Sequence, residues 1–518
     1  MISTKKWTFP LVILLILQIL TEALTVGIIL QLNMLPTKYV LVLIALMTTL
    51  VLFEALLLFV KVRGNVSVAR RIIAALLSLL IIAGCAWVTK PVSEVIEVVQ
   101  GVTGGNIKTS VRFMYVLVQK NDPAQKLADT KGYSFGVIEP NPDQERVQKA
   151  RELIEDELHT QIGITGYAES ANLVNALLKG EMNAVIINGA SLALLMEEEE
   201  FQALDDKARI LHSFSFNLLD GKEEEPEYED EQGLPKPPPV VIDPEKNVTN
   251  TPFVIYISGS DTRSSMLPDV SLSDVNILMI VNPVNKQVLL INTPRDYYIA
   301  NPASGSGKLD KLTHCGTYGV GNSMEALSDL YGMDISYYGR INFKGFKTLV
   351  DAVGGVTVYS DQSFTARETY IKKGENYLNG SQALDFARER YHVSGGDNTR
   401  GKNQMKVIKA VIEKMTSGTT LLSNYSAILS SLEGMFDTNM QSKEINMLVK
   451  MQLDDMASWE IFSLAVTGTG GSEMTYTGYG VYRYVMYPDM ESVDHASALI
   501  DKMLAGEKLT KEEIPIPQ

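Results

Sequence analysis

Three long apolar runs open the chain, over residues 11–32, 39–60 and 72–88, each almost free of charge. Each approaches the ~20 residues needed to cross a hydrocarbon core of ~30 Å. They predict three membrane-spanning helices within residues 1–90. A cleaved leader would explain one run, not three. Lys5 and Lys6 precede the first run, and Lys61, Arg63, Arg70 and Arg71 separate the second from the third. The short loop between the first two carries only Lys38. The positive-inside rule then puts the N-terminus and the second loop in the cytoplasm, and everything after about residue 90 outside a cell membrane. Glu22 and Glu54 interrupt two spans, either paired within the helix bundle or marking a relay. Helix packing is the expected role.

Beyond a connector at 91–110, the pattern changes. Short β-branched or aromatic runs at 113–118, 134–138 and 183–187 alternate with helical spacing at 143–158 and 170–178, where Asp143 suits an N-cap. This predicts an α/β accessory domain over 111–220, with neither a nucleophile–base pair nor a phosphate loop. Residues 221–251 are rich in Glu, Pro and Asp and short of aliphatics, which predicts a linker. From 252 to 518 a second, larger α/β domain is expected. Strands are predicted at 253–257, 275–281, 287–292 and 356–359, with the second and third joined as a hairpin. Helices are predicted at 325–331, 343–353, 401–414, 421–435 and 443–456. Segments 461–465, 481–487 and 493–504 close it. The fold class is α/β, mixed α+β, behind a three-helix membrane region.

The 518 residues carry formal charge −15, which argues against a nucleic-acid partner. Cys85 lies within the third span and Cys315 outside the membrane, so no disulfide framework exists. A large external region without disulfides fits a Gram-positive cell surface.

Against that acidic background Arg388, Arg390 and Arg400 crowd into thirteen residues. Arg388 and Arg390, two apart, would share a face on a strand. Arg400 and Gln404, four apart, would share a face on a helix. A turn at Gly395-Gly396 would fold one face onto the other. Converging guanidiniums match a di-anion or a pyrophosphate. The competing reading is a set of surface salt bridges to Glu389 and Asp397.

Other polar residues gather at strand ends: Asp261, Asp274, Arg295 with Asp296, then Lys308, Asp310 and Lys311. Ligand sites of α/β sheets collect there. Two carboxylates of this kind can hold Mg²⁺, which takes its other oxygens from water and phosphate.

The series Ser258-Gly259-Ser260-Asp261, Ser273-Asp274, Thr293-Pro294-Arg295-Asp296, Asp310-Lys311 with His314, and Arg388 and Arg390 with Asp397, Arg400 and Gln404 resembles the LytR–CpsA–Psr family. Three spans and an extra external domain resemble its streptococcal capsule branch. The resemblance implies a mixed sheet covered by helices, with an apolar tunnel for a polyprenyl phosphate or pyrophosphate. It implies Mg²⁺ on Asp261 and Asp274, with Mn²⁺ as the alternative. The pyrophosphate would lie on Arg295, Arg388, Arg390 and Arg400, with Gln404 beside them. Lys311 would also contact the substrate, and Asp397 would orient an arginine or the metal shell. Asn403-Gln404 stands where many members have Arg-Gln or Gln-Gln. Leu327, Leu330, Phe343, Phe346, Leu349 and Val350 have spacing suited to the tunnel lining, and equally to a core.

The function so implied is a membrane-anchored phosphotransferase. It would move a glycopolymer, such as capsular polysaccharide or teichoic acid, from a polyprenyl-pyrophosphate carrier to peptidoglycan. A non-enzymatic binder of lipid-linked glycan and a polyprenyl-pyrophosphate hydrolase are the alternatives. A DNA-binding regulator is disfavoured, because there is no helix-turn-helix or basic patch.

Overall fold

The computed structural model describes residues 8–60, 68–102, 111–139, 144–196, 198–201, 204–217, 247–260, 267, 271–304, 307–417, 428, 432–477 and 482–514. Asp143, Asp261, residues 221–246 of the expected linker and most of the expected helix at 421–435 lie outside the described residues.

The apolar runs form α1 (Thr8–Leu32), α2 (Thr37–Phe59) and α3 (Val68–Val102). Helix is the only local structure that satisfies every backbone group of one segment without water. Their stretches Phe9–Gln31, Thr37–Phe59 and Val68–Thr89 are long and apolar enough to cross a membrane. Leu20, Leu41 and Leu80 project outward from the bundle, where lipid tails would cover them. The connector expected from residue 91 is instead helical as far as Val102. Val92, Val95, Ile96 and Val99 keep apolar spacing of three to four residues, which carries the helix past Pro91.

Inside the bundle the two glutamates are buried and bonded. Gln18 Nε2 donates to Glu22 Oε1 at 2.9 Å, and Ser78 Oγ of α3 donates to Glu54 Oε2 of α2 at 2.9 Å. The second bond ties two helices across an apolar medium. Glu54→Ala is expected to weaken helix association by about 1 kcal/mol, the usual size of such a bond. The measurement is the thermal dissociation of the full chain in detergent. Glu54→Gln, which keeps an acceptor for Ser78, should behave as the wild type.

The next sheet has order β3-β2-β4-β1-β5, from β1 (Val111–Gln119), β2 (Ser134–Ile138), β3 (Gly163–Tyr167), β4 (Ala184–Asn188) and β5 (Ala208–Asn217). Helix α4 (Gln144–Leu158) packs in one of its two apolar clusters, and α5 (Ser170–Lys179) with α6 (Gly189–Leu195) in the other.

A six-stranded mixed sheet follows: β6 (Phe253–Ser260), β7 (Ser273–Asn282), β8 (Gln287–Asn292), β9 (Tyr337–Asn342), β10 (Phe436–Thr438) and β11 (Glu460–Ala465). Its order is β10-β9-β6-β7-β8-β11, with β6–β7–β8 antiparallel and the β9–β6 and β8–β11 pairs parallel. Alternation along β6 sorts its residues between two faces. Val254 and Tyr256 join a core with α7 (Val320–Tyr331) and α12 (Met490–Leu504). Phe253, Ile255 and Ile257 face the opposite side, with Met405 and Ile445. That second side carries the site.

Three helices frame it: α8 (Phe343–Ala352), α9 (Gly380–Arg388) and α10 (Gly396–Thr416). Asn342 caps α8 by accepting from the Gly345 N–H at 2.8 Å, and Asn379 caps α9 in a capping box with Gln382. Gly380 lets α9 seat on α8, since a Cβ there would lie 2.1 Å from the Lys347 carbonyl oxygen. Helix α11 (Ser442–Asp455) and the hairpin of β12 (Gly468–Met474) and β13 (Tyr482–Pro488) complete the surroundings.

Candidate functional site

Arg295 follows β8, beside the start of β7. Its Nη1 donates to Asp274 Oδ1, and its Nε lies 3.8 Å from Asp296 Oδ1. Lys311 Nζ sits 3.1 Å from the same Asp296 oxygen, an ion pair not aligned as a hydrogen bond. The four side chains are 7–15% exposed. Mutual charge and burial hold this group in one arrangement.

The arginine segment corrects the expected strand. Arg388 is the last residue of α9, and Arg390 lies two residues beyond it. The chain between them turns because Glu389 Oε1 accepts the N–H groups of Tyr391 at 2.8 Å and His392 at 2.9 Å. Burial opposes the charge of Glu389, but the bonds from His392 and Tyr391 outweigh it and hold the carboxyl below its usual range. Glu389 therefore shapes its own turn, a role the sequence reading missed. An acidic side chain two and three residues ahead of the backbone N–H groups it accepts is the local signal. The Arg388 guanidinium rests 4.1 Å from the centre of the Phe343 ring, and that of Arg390 lies 4.6 Å from the Tyr391 ring.

Gly395 (φ 87°) and Gly396 (φ 51°) make the turn into α10. A side chain at either position would strain this left-handed backbone. Helix α10 starts at Gly396 rather than 401, so Arg400 and Gln404 lie on it one turn apart. Asp397 Oδ1 pairs with Arg400 Nη2 at 2.5 Å. The pair is not on the open surface, since the Arg400 side chain is only 11% exposed.

Asp274, Arg295, Lys311, Arg388, Arg390, Arg400 and Gln404 all line one cavity of about 1660 Å³. Asp397 reaches it through Arg400. The same cavity is bordered by Ile255, Ile257, Met279, Phe346, Ile408 and Ile412. Of the six possible tunnel residues, Phe343, Phe346 and Leu349 line it. Leu327 and Leu330 instead belong to the core on the other side of the sheet, and Val350 is buried between helices. Asp296 of the strand-end cluster lines it as well, and two further residues escaped the sequence reading as site members: Glu389 and Tyr484 of β13. Burial, then the charges of Asp296 and Asp397, push the Tyr484 phenol above its usual value.

Asp310 is not part of this wall. It is fully buried, and its two oxygens accept from the Asn301 amide, the Lys311 N–H, His314 Nδ1, and both the N–H and hydroxyl of Thr477. Lys308 lies over the Tyr476 ring, 5.6 Å from its centre.

The LytR_cpsA_psr family profile matches residues 219–495, the region that contains Asp274, Arg295, Lys311, Arg388, Arg390 and Arg400. The chain belongs to the LytR_cpsA_psr family. Among LytR_cpsA_psr relatives, the polyisoprenyl-teichoic acid–peptidoglycan teichoic acid transferase TagU of Bacillus mycoides is 31% identical over 261 residues, which is 50% of this chain and 80% of TagU. TagU of Enterococcus faecalis is 34% identical over 206 residues, 40% of this chain and 63% of that protein. A solved structure of TagT bound to LIIa-WTA aligns with a TM-score of 0.40 at 22% identity, over 50% of this chain and 94% of TagT.

Carboxylate oxygens at Asp274 and Asp296, paired here with Arg295 and Lys311, are hard donors on the cavity wall. They fit Mg²⁺ or Mn²⁺ in chemistry.

Proposed function

We propose that the protein is a membrane-anchored transferase that moves a glycopolymer from a polyprenyl-pyrophosphate carrier to peptidoglycan. One observation carries this reading: Arg295, Lys311, Arg388, Arg390 and Arg400, with Arg209 and Arg367, line a single cavity whose remaining wall is largely aliphatic and aromatic. A polyprenyl diphosphate has that same division, a di-anion attached to a long apolar tail. The naming of the TagU relatives as teichoic acid transferases acting on peptidoglycan supports the reaction class.

The guanidiniums grip the diphosphate oxygens and spread the charge that develops as the phosphoryl group moves. A sugar hydroxyl of peptidoglycan attacks the glycan-side phosphorus. A new O–P bond forms, the bond to the bridging oxygen breaks, and polyprenyl phosphate leaves with that oxygen. A carboxylate of the site takes the hydroxyl proton. Mg²⁺, held by Asp274 with Asp261 and Asp296, would supply further charge neutralisation at the phosphates. Gln404 and the Asp397–Arg400 pair orient the anion. The polymer is capsular polysaccharide or teichoic acid, and the setting a Gram-positive surface.

The orientation reading puts the site outside the cell, with the N-terminus in the cytoplasm. The loop between α1 and α2, external by its low positive charge, meets the domain that bears the site. Lys38 lies 3.0 Å from Asp454, and Lys450 Nζ donates to Asn33 Oδ1 at 2.7 Å.

The deciding experiment incubates purified full-length protein with lipid-linked glycan, peptidoglycan and Mg²⁺. Covalent glycan–peptidoglycan is the expected product. Free glycan phosphate would mark a hydrolase, and unchanged substrate a binder; either would overturn the reading.

A further inference from the structure

The domain built on β1–β5 lies outside the family match, yet it contributes to the same cavity. Tyr115, Asn188, Ser191 and Ser213 line it together with the arginines. The contact between the two domains is specific. Arg483 Nη2 of β13 donates to Glu198 Oε1 at 2.8 Å, and the arginine side chain is 12% exposed.

The position of that contact matters. Arg483 and Tyr484 are strand neighbours, so their side chains leave β13 on opposite faces. Arg483 meets the accessory domain. Tyr484 borders the cavity and feels the charges of Asp296 and Asp397, which belong to its charged part. One strand therefore stands between the accessory domain and the phosphate-type site. The membrane-side loop touches α11 instead, and Ile445 of α11 lines the apolar part. Beside its polar groups the accessory domain also brings Leu192, Leu194, Met196 and Ile210 to the cavity. What emerges from the diphosphate away from the tail is the saccharide.

We propose that the accessory domain forms the glycan-side wall of the site and binds the sugars next to the diphosphate. The inference rests on the proposed function and deepens it. Sugars present C–H faces that pack on an aromatic ring, as at Tyr115, and hydroxyls that pair with amides and hydroxyls, as at Asn188, Ser191 and Ser213. The Glu198–Arg483 pair latches this wall in place. The accessory domain then reads which polymer is attached, while the arginines read only the diphosphate common to all carriers.

The test compares two ligands on the full-length protein in nanodiscs: undecaprenyl pyrophosphate without sugar, and the lipid-linked glycan extracted from the native cells. Glu198→Arg and Tyr115→Ala should each weaken binding of the glycan-bearing carrier about tenfold. Binding of the bare carrier should not change. Glu198→Arg combined with Arg483→Glu should restore the first affinity. Undiminished glycan-carrier binding in both single variants overturns the proposal, as does equal weakening of both ligands. Failure of the wild-type protein to bind the bare carrier has a separate signature and removes the reading of the phosphate site, and this inference with it.

Discussion

Arg388→Ala is expected to lower glycan transfer to peptidoglycan roughly 10²–10³-fold, the usual cost of removing one donor that faces charge developing in a transition state. The side chain is placed for this. It leaves the C-terminus of α9, lies against the Phe343 ring and borders the cavity shared with Arg295, Arg390 and Arg400. Its structural contribution is modest by comparison. The Arg388 side chain is half-buried, and a cation–π contact at such a site is worth about 0.5–1 kcal/mol. Melting of the full-length variant should therefore stay near wild type while the rate collapses. Arg388→Lys should recover only part of the loss, because a single ammonium keeps the charge but not the two-pronged geometry that matches phosphate oxygens. Initial rates with lipid-linked glycan and peptidoglycan, read beside a thermal melt, give both quantities. A variant that transfers at the wild-type rate would remove Arg388 from the mechanism.

The charged part of this site was legible in the sequence for a physical reason. Arg388, Arg390 and Arg400 crowd together in an acidic chain, and paired glycines with left-handed backbone stand between them. Strand-end placement of Asp274 and Arg295 follows from two apolar runs and the short turn that joins them. The greasy part was not legible. Apolar residues at helical spacing show that a helix face is covered, not whether protein or a cavity covers it. Leu327 and Phe346 look alike in sequence, yet one fills a core and the other borders the cavity. Tyr484 was missed because β12 is rich in glycine and lacks a strand pattern, so the hairpin that presents β13 was not anticipated. Arg388 shows the opposite error. Its spacing from Arg390 suggested a strand, but the Asn379–Gln382 capping box starts a helix that runs to Arg388 itself.

The second large effect concerns stability. Asp310→Ala is expected to destabilise the protein by about 3–5 kcal/mol, the range for breaking a buried charge network by removing one partner. The carboxylate of Asp310 is fully buried and receives five donors, from Asn301, Lys311, His314 and Thr477. Its loss strands these groups away from water. It also frees the Thr477 segment, and Thr477 borders the cavity next to Lys311. Burial alone would raise the pKa of Asp310, but the bonds and charge of His314 and the bonds of Thr477 and Asn301 outweigh it, and the carboxyl is held below its ordinary value. A depressed folded pKa fixes the sign of the pH effect. The stabilisation is complete above the unfolded aspartate value of ~3.9 and is lost as pH falls through the lower folded value. Wild type and Asp310→Ala should therefore differ most near neutral pH and converge in strong acid. With about 2–4 °C per kcal/mol for a domain of this size, the melting temperature of the full chain should drop by roughly 10 °C at pH 7. Transfer measured well below that temperature should fall less than in Arg388→Ala, since Asp310 holds the wall and never meets the phosphate. Equal melting temperatures at neutral pH would show that the five donors find other partners, and the anchoring role would be lost.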